Sequence, residues 1–220
     1  MFKSNKLSIC ILIFGLSAFI SCHHNKTENN PLKDCVTLND SAFRMVSQKY
    51  WDYNSDSIVL NDAIALYKEA IRCDSDYYEP YYNLMVAYWE KKDCEGVREL
   101  TDCALKRFPL DPLFHSFKSA YYKECLNQPS LSKEYSDKTC EGYDEAIRKG
   151  QGNATNIAIA KIEFVWTVYG NKTALCEIDS FINEFPREKY FVEYRKRIVS
   201  EIESDGLTDW FMGTTSADSI

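Results

Sequence analysis

Residues Tyr78 to Asp111 read YEPYYNLMVAYWEKKDCEGVRELTDCALKRFPLD, and the spacing inside this stretch decides the fold. Tyr81, Leu84 and Tyr88 stand at i, i+3 and i+7, on one side of a first helix, while Val97, Leu100, Thr101, Ala104 and Leu105 follow the same rule on a second. Two helices with one apolar stripe each must turn those stripes toward one another. Ala104 is small enough for a close approach. Pro109 stops the second helix, because it lacks an N–H and its ring clashes with the preceding turn. The span is one period of a helix-turn-helix repeat of about 34 residues.

The pattern extends in both directions. Tyr67-Lys68-Glu69-Ala70-Ile71-Arg72 returns as Tyr143-Asp144-Glu145-Ala146-Ile147-Arg148 with five of six residues identical. Phe114, Phe117 and Tyr121 repeat Tyr81, Leu84 and Tyr88 after an Asp111-Pro112 start. Upstream, Asp40-Ser41 reads as the cap of a helix from Ala42 to about Tyr53, and Val59 to Cys73 as its partner, with Ala63, Tyr67, Ala70 and Ile71 in second-helix positions. Downstream, about nine more residues separate Tyr121 from Tyr143 than separate Tyr88 from Thr101. Asn127-Gln128-Pro129-Ser130 predicts a loop there, either a binding element or a neutral surface excursion. Gly150-Gln151-Gly152 sets off a last pair, whose first helix (Ile157, Ile159, Ala160, Ile162, Phe164, Val165, Trp166, Tyr169) is apolar around most of its circumference. Leu175, Ile178, Phe181 and Ile182 mark its partner, Phe185-Pro186 closes it, and Arg187 to Glu203 reads as a more charged capping helix.

Tyr81, Leu84, Tyr88, Val97, Ala104 and Pro109 together resemble a tetratricopeptide repeat. The resemblance covers residues 41 to 186 and implies an all-α, tetratricopeptide-like helical-hairpin solenoid of three to four units with a C-terminal capping helix. In that family the first helices line a concave groove. On this register Glu79, Tyr82, Asn83, Val86, Trp89 and Glu90 face it and make the protein-binding candidates, with Tyr82 and Trp89 as rigid aromatic anchors. Asn83 matches one position of the carboxylate clamp of chaperone-binding members. Phe117 and Lys118 stand where the clamp needs a Lys and Arg pattern, so binding of chaperone tails is not expected.

The chain opens with Lys3 and Lys6, an apolar run from Leu7 to Ile20, then Ser21-Cys22. Phe19-Ile20-Ser21-Cys22 resembles a bacterial lipobox. That resemblance implies cleavage before Cys22, lipidation of its thiol and a membrane anchor, since two acyl chains hold a protein stably. The domain reading is therefore a signal peptide over 1–21, a polar tether over 22–39, a helical domain over 40–204 and a flexible tail over 205–220. Removing the first 21 residues takes away Lys3 and Lys6 and no acidic residue, leaving 24 basic against 33 acidic side chains and a net charge of −9. That sign disfavours nucleic acid and anionic lipid head groups and suits a basic protein partner. Asp40-Ser41-Ala42, Asp56-Ser57-Ile58 and Asp218-Ser219-Ile220 resemble O-glycan acceptors of exported Bacteroidetes proteins.

Seven cysteines follow Cys22, none in a CxxC pair or a zinc spacing, so no metal site is expected. Export makes disulfides the main reading. Cys125 and Cys140 flank the predicted insertion and form the expected pair. His115 is the one histidine of the folded region, beside Phe114 and Phe117, where a packed imidazole is expected rather than a base. No nucleophile, phosphate-loop or metalloprotease motif is present, so neither enzymatic activity nor a cofactor is expected. The functional expectation is a lipid-anchored, non-catalytic protein-protein interaction module of the bacterial cell envelope, on the outer membrane. The alternative expectation is an immunity protein that neutralises a periplasm-acting toxin.

Overall fold

The computed structural model describes residues 31–51 and 57–211, with side chains over 34–47 and 59–200. The predicted signal peptide, the lipidation candidate Cys22, the first part of the tether and the end of the tail lie outside the described residues. Among the described residues every regular element is helical: α1 (Pro31–Trp51), α2 (Ser57–Cys73), α3 (Glu79–Lys91), α4 (Cys94–Arg107), α5 (Pro112–Ala120), a π turn (Tyr121–Cys125), α6 (Pro129–Arg148), α7 (Ala154–Tyr169), α8 (Asn171–Glu184) and α9 (Lys189–Phe211). None of them is long and apolar enough to cross a membrane. They form two compact units, one ending at Gly142 and the other starting at Tyr143, so the division falls inside α6.

In the unit ending at Gly142, α1 starts at Pro31, a good first-turn residue, and not at Ala42. Asp40 and Ser41 therefore lie mid-helix, and Ser41 Oγ donates to the Thr37 carbonyl instead of capping. Polar composition hid this start: only Cys35, Asn39 and Ala42 of the first turns are buried, at helical spacing. Cys35 is bridged to Cys73 at the end of α2, with Cα atoms 5.5 Å apart, which pins the two helices antiparallel.

The α3–α4 hairpin follows the sequence closely. Pro80 sits in the first turn of α3, and Lys92 closes that helix in the left-handed conformation at φ 58°. Asp93 then caps α4 by accepting from the Gly96 amide at 2.9 Å. Gly96 is required by packing: a Cβ there would come within 2.6 Å of the Tyr88 ring, so the hairpin closes face to face. Asp111 caps α5 through the Leu113 and Phe114 amides. Tyr81, Leu84, Met85, Tyr88, Val97, Leu100, Ala104, Phe114, Phe117 and Tyr121 share one core with Ala42, Leu60, Ala63 and Tyr67. Each large apolar side chain so buried contributes roughly 1.5–3 kcal/mol.

The expected loop after Tyr121 is mostly helix. The chain passes through the π turn, reverses at Asn127 with φ 52°, and starts α6 at Pro129. The additional residues thus lengthen the front of α6. Further along, α6 passes close to the start of α5, where a Cβ on Gly142 would lie 2.7 Å from the Leu110 carbonyl oxygen.

In the unit starting at Tyr143, Asn153 caps α7 through the Asn156 amide, and Gly170 at φ 82° joins α7 to α8. Ala158 and Ile162 of α7, Ile178 and Phe181 of α8, and Phe191, Tyr194 and Ile198 of α9 make its core. Phe181 stacks on both Phe185 and Phe191.

Candidate functional site

All six binding candidates on α3 are half-buried. They differ in what they touch. Tyr82 and Trp89 both lean on Phe117 of α5, with ring centroids 6.4 and 6.3 Å apart. Burial pushes the Tyr82 phenol up to about 12, so it stays a neutral hydrogen-bonding group. Asn83 turns the other way and donates to Asn39 of α1 at 3.0 Å. Asn39, itself buried, donates in turn to the Tyr77 hydroxyl. The Asn83 amide is thus engaged within the chain. Glu79 lies on the side of Tyr77 also approached by Asp40; burial first, then these two carboxylates, push the Tyr77 phenol up to about 12, against the Asn39 hydrogen bond. Val86 packs on the core edge and Glu90 is half-buried at the far end of the face.

Two exposed apolar residues lie on α1, the helix that Asn39 ties to this face. Val36 and Phe43 of α1 are 39% and 54% exposed. They follow the buried Cys35 and Ala42 by one residue, just as Tyr82 and Trp89 follow the buried Tyr81 and Tyr88. Reading residues 22–39 as a tether concealed Val36, while Phe43 falls at the second residue of the helix expected from Ala42 and is exposed.

On α5 the same offset gives His115 and Tyr122, one past the buried Phe114 and Tyr121. Here the face is covered. Tyr135 of α6 stacks on Tyr122 at 5.3 Å and lies 5.9 Å from the His115 ring. Ser119 Oγ meets the Ser132 carbonyl at 2.8 Å and Ser136 Oγ at 2.7 Å, all three residues being buried. His115 Nε2 lies 2.8 Å from the Pro109 carbonyl, which fixes it as the donor. Its buried Nδ1 has no hydrogen-bond partner. Burial lowers the His115 pKa, and the nearby Lys138 adds to this, while the Pro109 hydrogen bond and Glu141 oppose it.

The disulfide expectation is corrected. Cys125 pairs with Cys94 at the start of α4, Cα atoms 6.0 Å apart, and Cys140 belongs to neither bridge. The reason is stiffness: Cys140 lies eleven residues into α6 from Pro129, a rise of about 16 Å, so the intervening chain cannot fold back on Cys125. Cys103 and Cys176 are exposed and outside the bridges.

Two lysines on apolar stretches are buried with carboxylate partners. Lys118 of α5 reaches Asp102 of α4 at 2.5 Å, and Lys161 of α7 reaches Asp144 at 2.6 Å and Glu177 at 2.5 Å. The signal was present in the repeat: each Lys stands three residues before a buried aromatic, Tyr121 or Phe164, and each Asp directly follows Thr101 or Tyr143. Among the described residues no group of three or more His, Cys, Asp or Glu side chains is placed to hold a metal ion. Comparison of the chain with protein-family models, with curated proteins and with solved structures finds no match.

Proposed function

We propose that the chain is a tetratricopeptide-like lipoprotein of the bacterial cell envelope, exported, anchored through Cys22, and acting as a non-catalytic module that binds another protein through α3. One observation carries the reading: Tyr82, Val86 and Trp89 form a half-buried stripe on α3, held from beneath by Phe117, while the matching stripe on α5 is sealed by α6. Rigid aromatics that keep part of their surface in water lose little entropy on binding, which suits them as anchors. Export is supported by the Cys35–Cys73 and Cys94–Cys125 bridges, since such bonds persist in oxidising compartments.

Proximity labelling from the anchored chain in cells, followed by affinity measurement with the labelled proteins, tests the reading. Tyr82→Ala and Trp89→Ala are expected to weaken the captured interaction at least tenfold; undiminished binding by both variants overturns the assignment to α3. Cys22→Ser is expected to release the protein from the membrane fraction, and lipid labelling that persists in this variant overturns the anchor.

A further inference from the structure

The stripe on α3 has a neighbour with an unused apolar surface. Asn83 and Asn39 tie α3 to α1, and the disulfide at Cys35 holds α1 antiparallel to α2, so α1 and α3 run side by side in the same direction. Val36 and Phe43 on α1, and Tyr82, Val86 and Trp89 on α3, therefore form two apolar ridges at helical spacing with the amide pair between them.

What such a face accepts is visible one helix further on. The equivalent positions of α5 are occupied by a helix of this same chain, the front half of α6, laid lengthwise with Ser132, Tyr135 and Ser136 against Ser119 and His115. There the contact is polar and aromatic, Ser119 against Ser132 and Ser136 and Tyr122 against Tyr135. The ridges on α1 and α3 offer Val36, Phe43, Val86 and Trp89 in place of those hydroxyls, so the matching occupant presents an aliphatic stripe. Its length is set by the ridge: Tyr82 to Trp89 rises about 10 Å, or two turns. Its charge is set by Asp40 and Glu79, which both act on Tyr77 at this edge, against Arg44 as the single cation among the described side chains of α1.

We propose that the trough between α1 and α3 takes an amphipathic helix of a partner protein, two to three turns long, with an aliphatic stripe at i, i+4 and i+7 and Lys or Arg on its flanks. This rests on α3 being the interaction face. Two helices make a groove that a third fills by ridge packing, and a basic flank opposite Asp40 and Glu79 gives the helix one orientation.

A display library of random 16-residue peptides, selected on the mature chain, tests it. The expected winners are helical, carry the aliphatic stripe and basic flanks, and bind Phe43→Ser and Trp89→Ala at least tenfold more weakly. Phe43 is more than half exposed, so its substitution leaves the fold intact, which an unchanged melting curve verifies. Asp40→Lys combined with Glu79→Lys is expected to weaken the winners at least fivefold and to be rescued by Glu in place of their Lys. Winners that are extended, Pro-rich or acidic yet still depend on Phe43 and Trp89 overturn the helical occupant and leave the face standing. No enrichment, or winners indifferent to both substitutions, overturns the face as well.

Discussion

Lys118, with a side chain only 6% exposed, holds its ammonium 2.5 Å from the Asp102 carboxylate, which is 44% exposed. The pair is asymmetric, one charge dry and one wet, and its rings lie close: Lys118 Nζ stands 5.6 Å from both Tyr121 and Tyr122. Asp102→Ala strands the dry charge and is expected to cost about 2 to 3 kcal/mol. Lys118→Met leaves a solvated carboxylate and is expected to change stability by less than about 1 kcal/mol, because Met85, buried at the matching place of α3, shows the site accepts it. Urea denaturation of both variants measures the difference; equal losses would refute the asymmetry.

Acid should loosen the α5–α6 contact through His115. Its folded pKa lies below the ordinary value near 6.5 because burial disfavours the cation, so the unfolded chain takes up a proton first as pH falls. The stabilisation is complete above that value and drains away as pH drops toward the folded pKa. Tyr135, Lys138 and Glu141 of α6 face the ring, and Asp111 caps its helix. Asp111 has the opposite sign: burial raises its pKa, so it gains stability as pH falls and cannot cause this loss. Urea midpoints between pH 7 and 5 are expected to fall more steeply in the parent than in His115→Phe.

Opening the Cys94–Cys125 bridge by replacing both residues with Ser is expected to cost about 3 to 4 kcal/mol, from the closure entropy of a loop of this size. The Cys35–Cys73 bridge closes a slightly longer loop and should cost about the same. Thermal melts of each double variant, with and without reductant, check both values; a Cys125→Ser or Cys94→Ser change that leaves the midpoint where it was would contradict them.

Gly142→Ala brings two effects into conflict. Alanine favours a helix interior by about 1 kcal/mol, yet its Cβ would stand 2.7 Å from the Leu110 carbonyl and 3.3 Å from Pro112. Backbone at that distance must move, at about 2 to 3 kcal/mol. A net loss of roughly 1 to 2 kcal/mol is expected in calorimetry or urea titration, whereas Ala at the open Gly150 site meets nothing sterically and is opposed only by its φ of 64°.

The central hairpin was legible because local and tertiary signals agree there. The stripes of Tyr81, Leu84, Tyr88, Val97 and Ala104, the stop at Pro109 and the start at Asp111 all reappear in place. The start of α1 was not legible, since Cys35 and Asn39 are buried by a bridge to Cys73 and a bond to Asn83, partners 38 and 44 residues away. Nor was the length of α6: Ser132 and Ser136 look like surface polar residues until their hydroxyls are seen bonded to Ser119 across a helix interface, and the buried Thr139 turns its hydroxyl back onto the Tyr135 carbonyl of its own helix. For the site, periodicity placed Tyr82 and Trp89 on one face correctly, but the engagement of Asn83 by Asn39 and the cover over His115 depend on contacts no period encodes.

The single wide turn after α5 makes this segment intolerant of length change. Leu126 donates five residues back to Tyr121, so one residue more than an ordinary turn is held in the coil. Adding one residue more there, with the winding otherwise kept, would swing Cys125 about 100° around the helix axis, away from Cys94. A one-residue insertion thus carries a redox consequence, leaving two thiols where the intact chain keeps a cross-link.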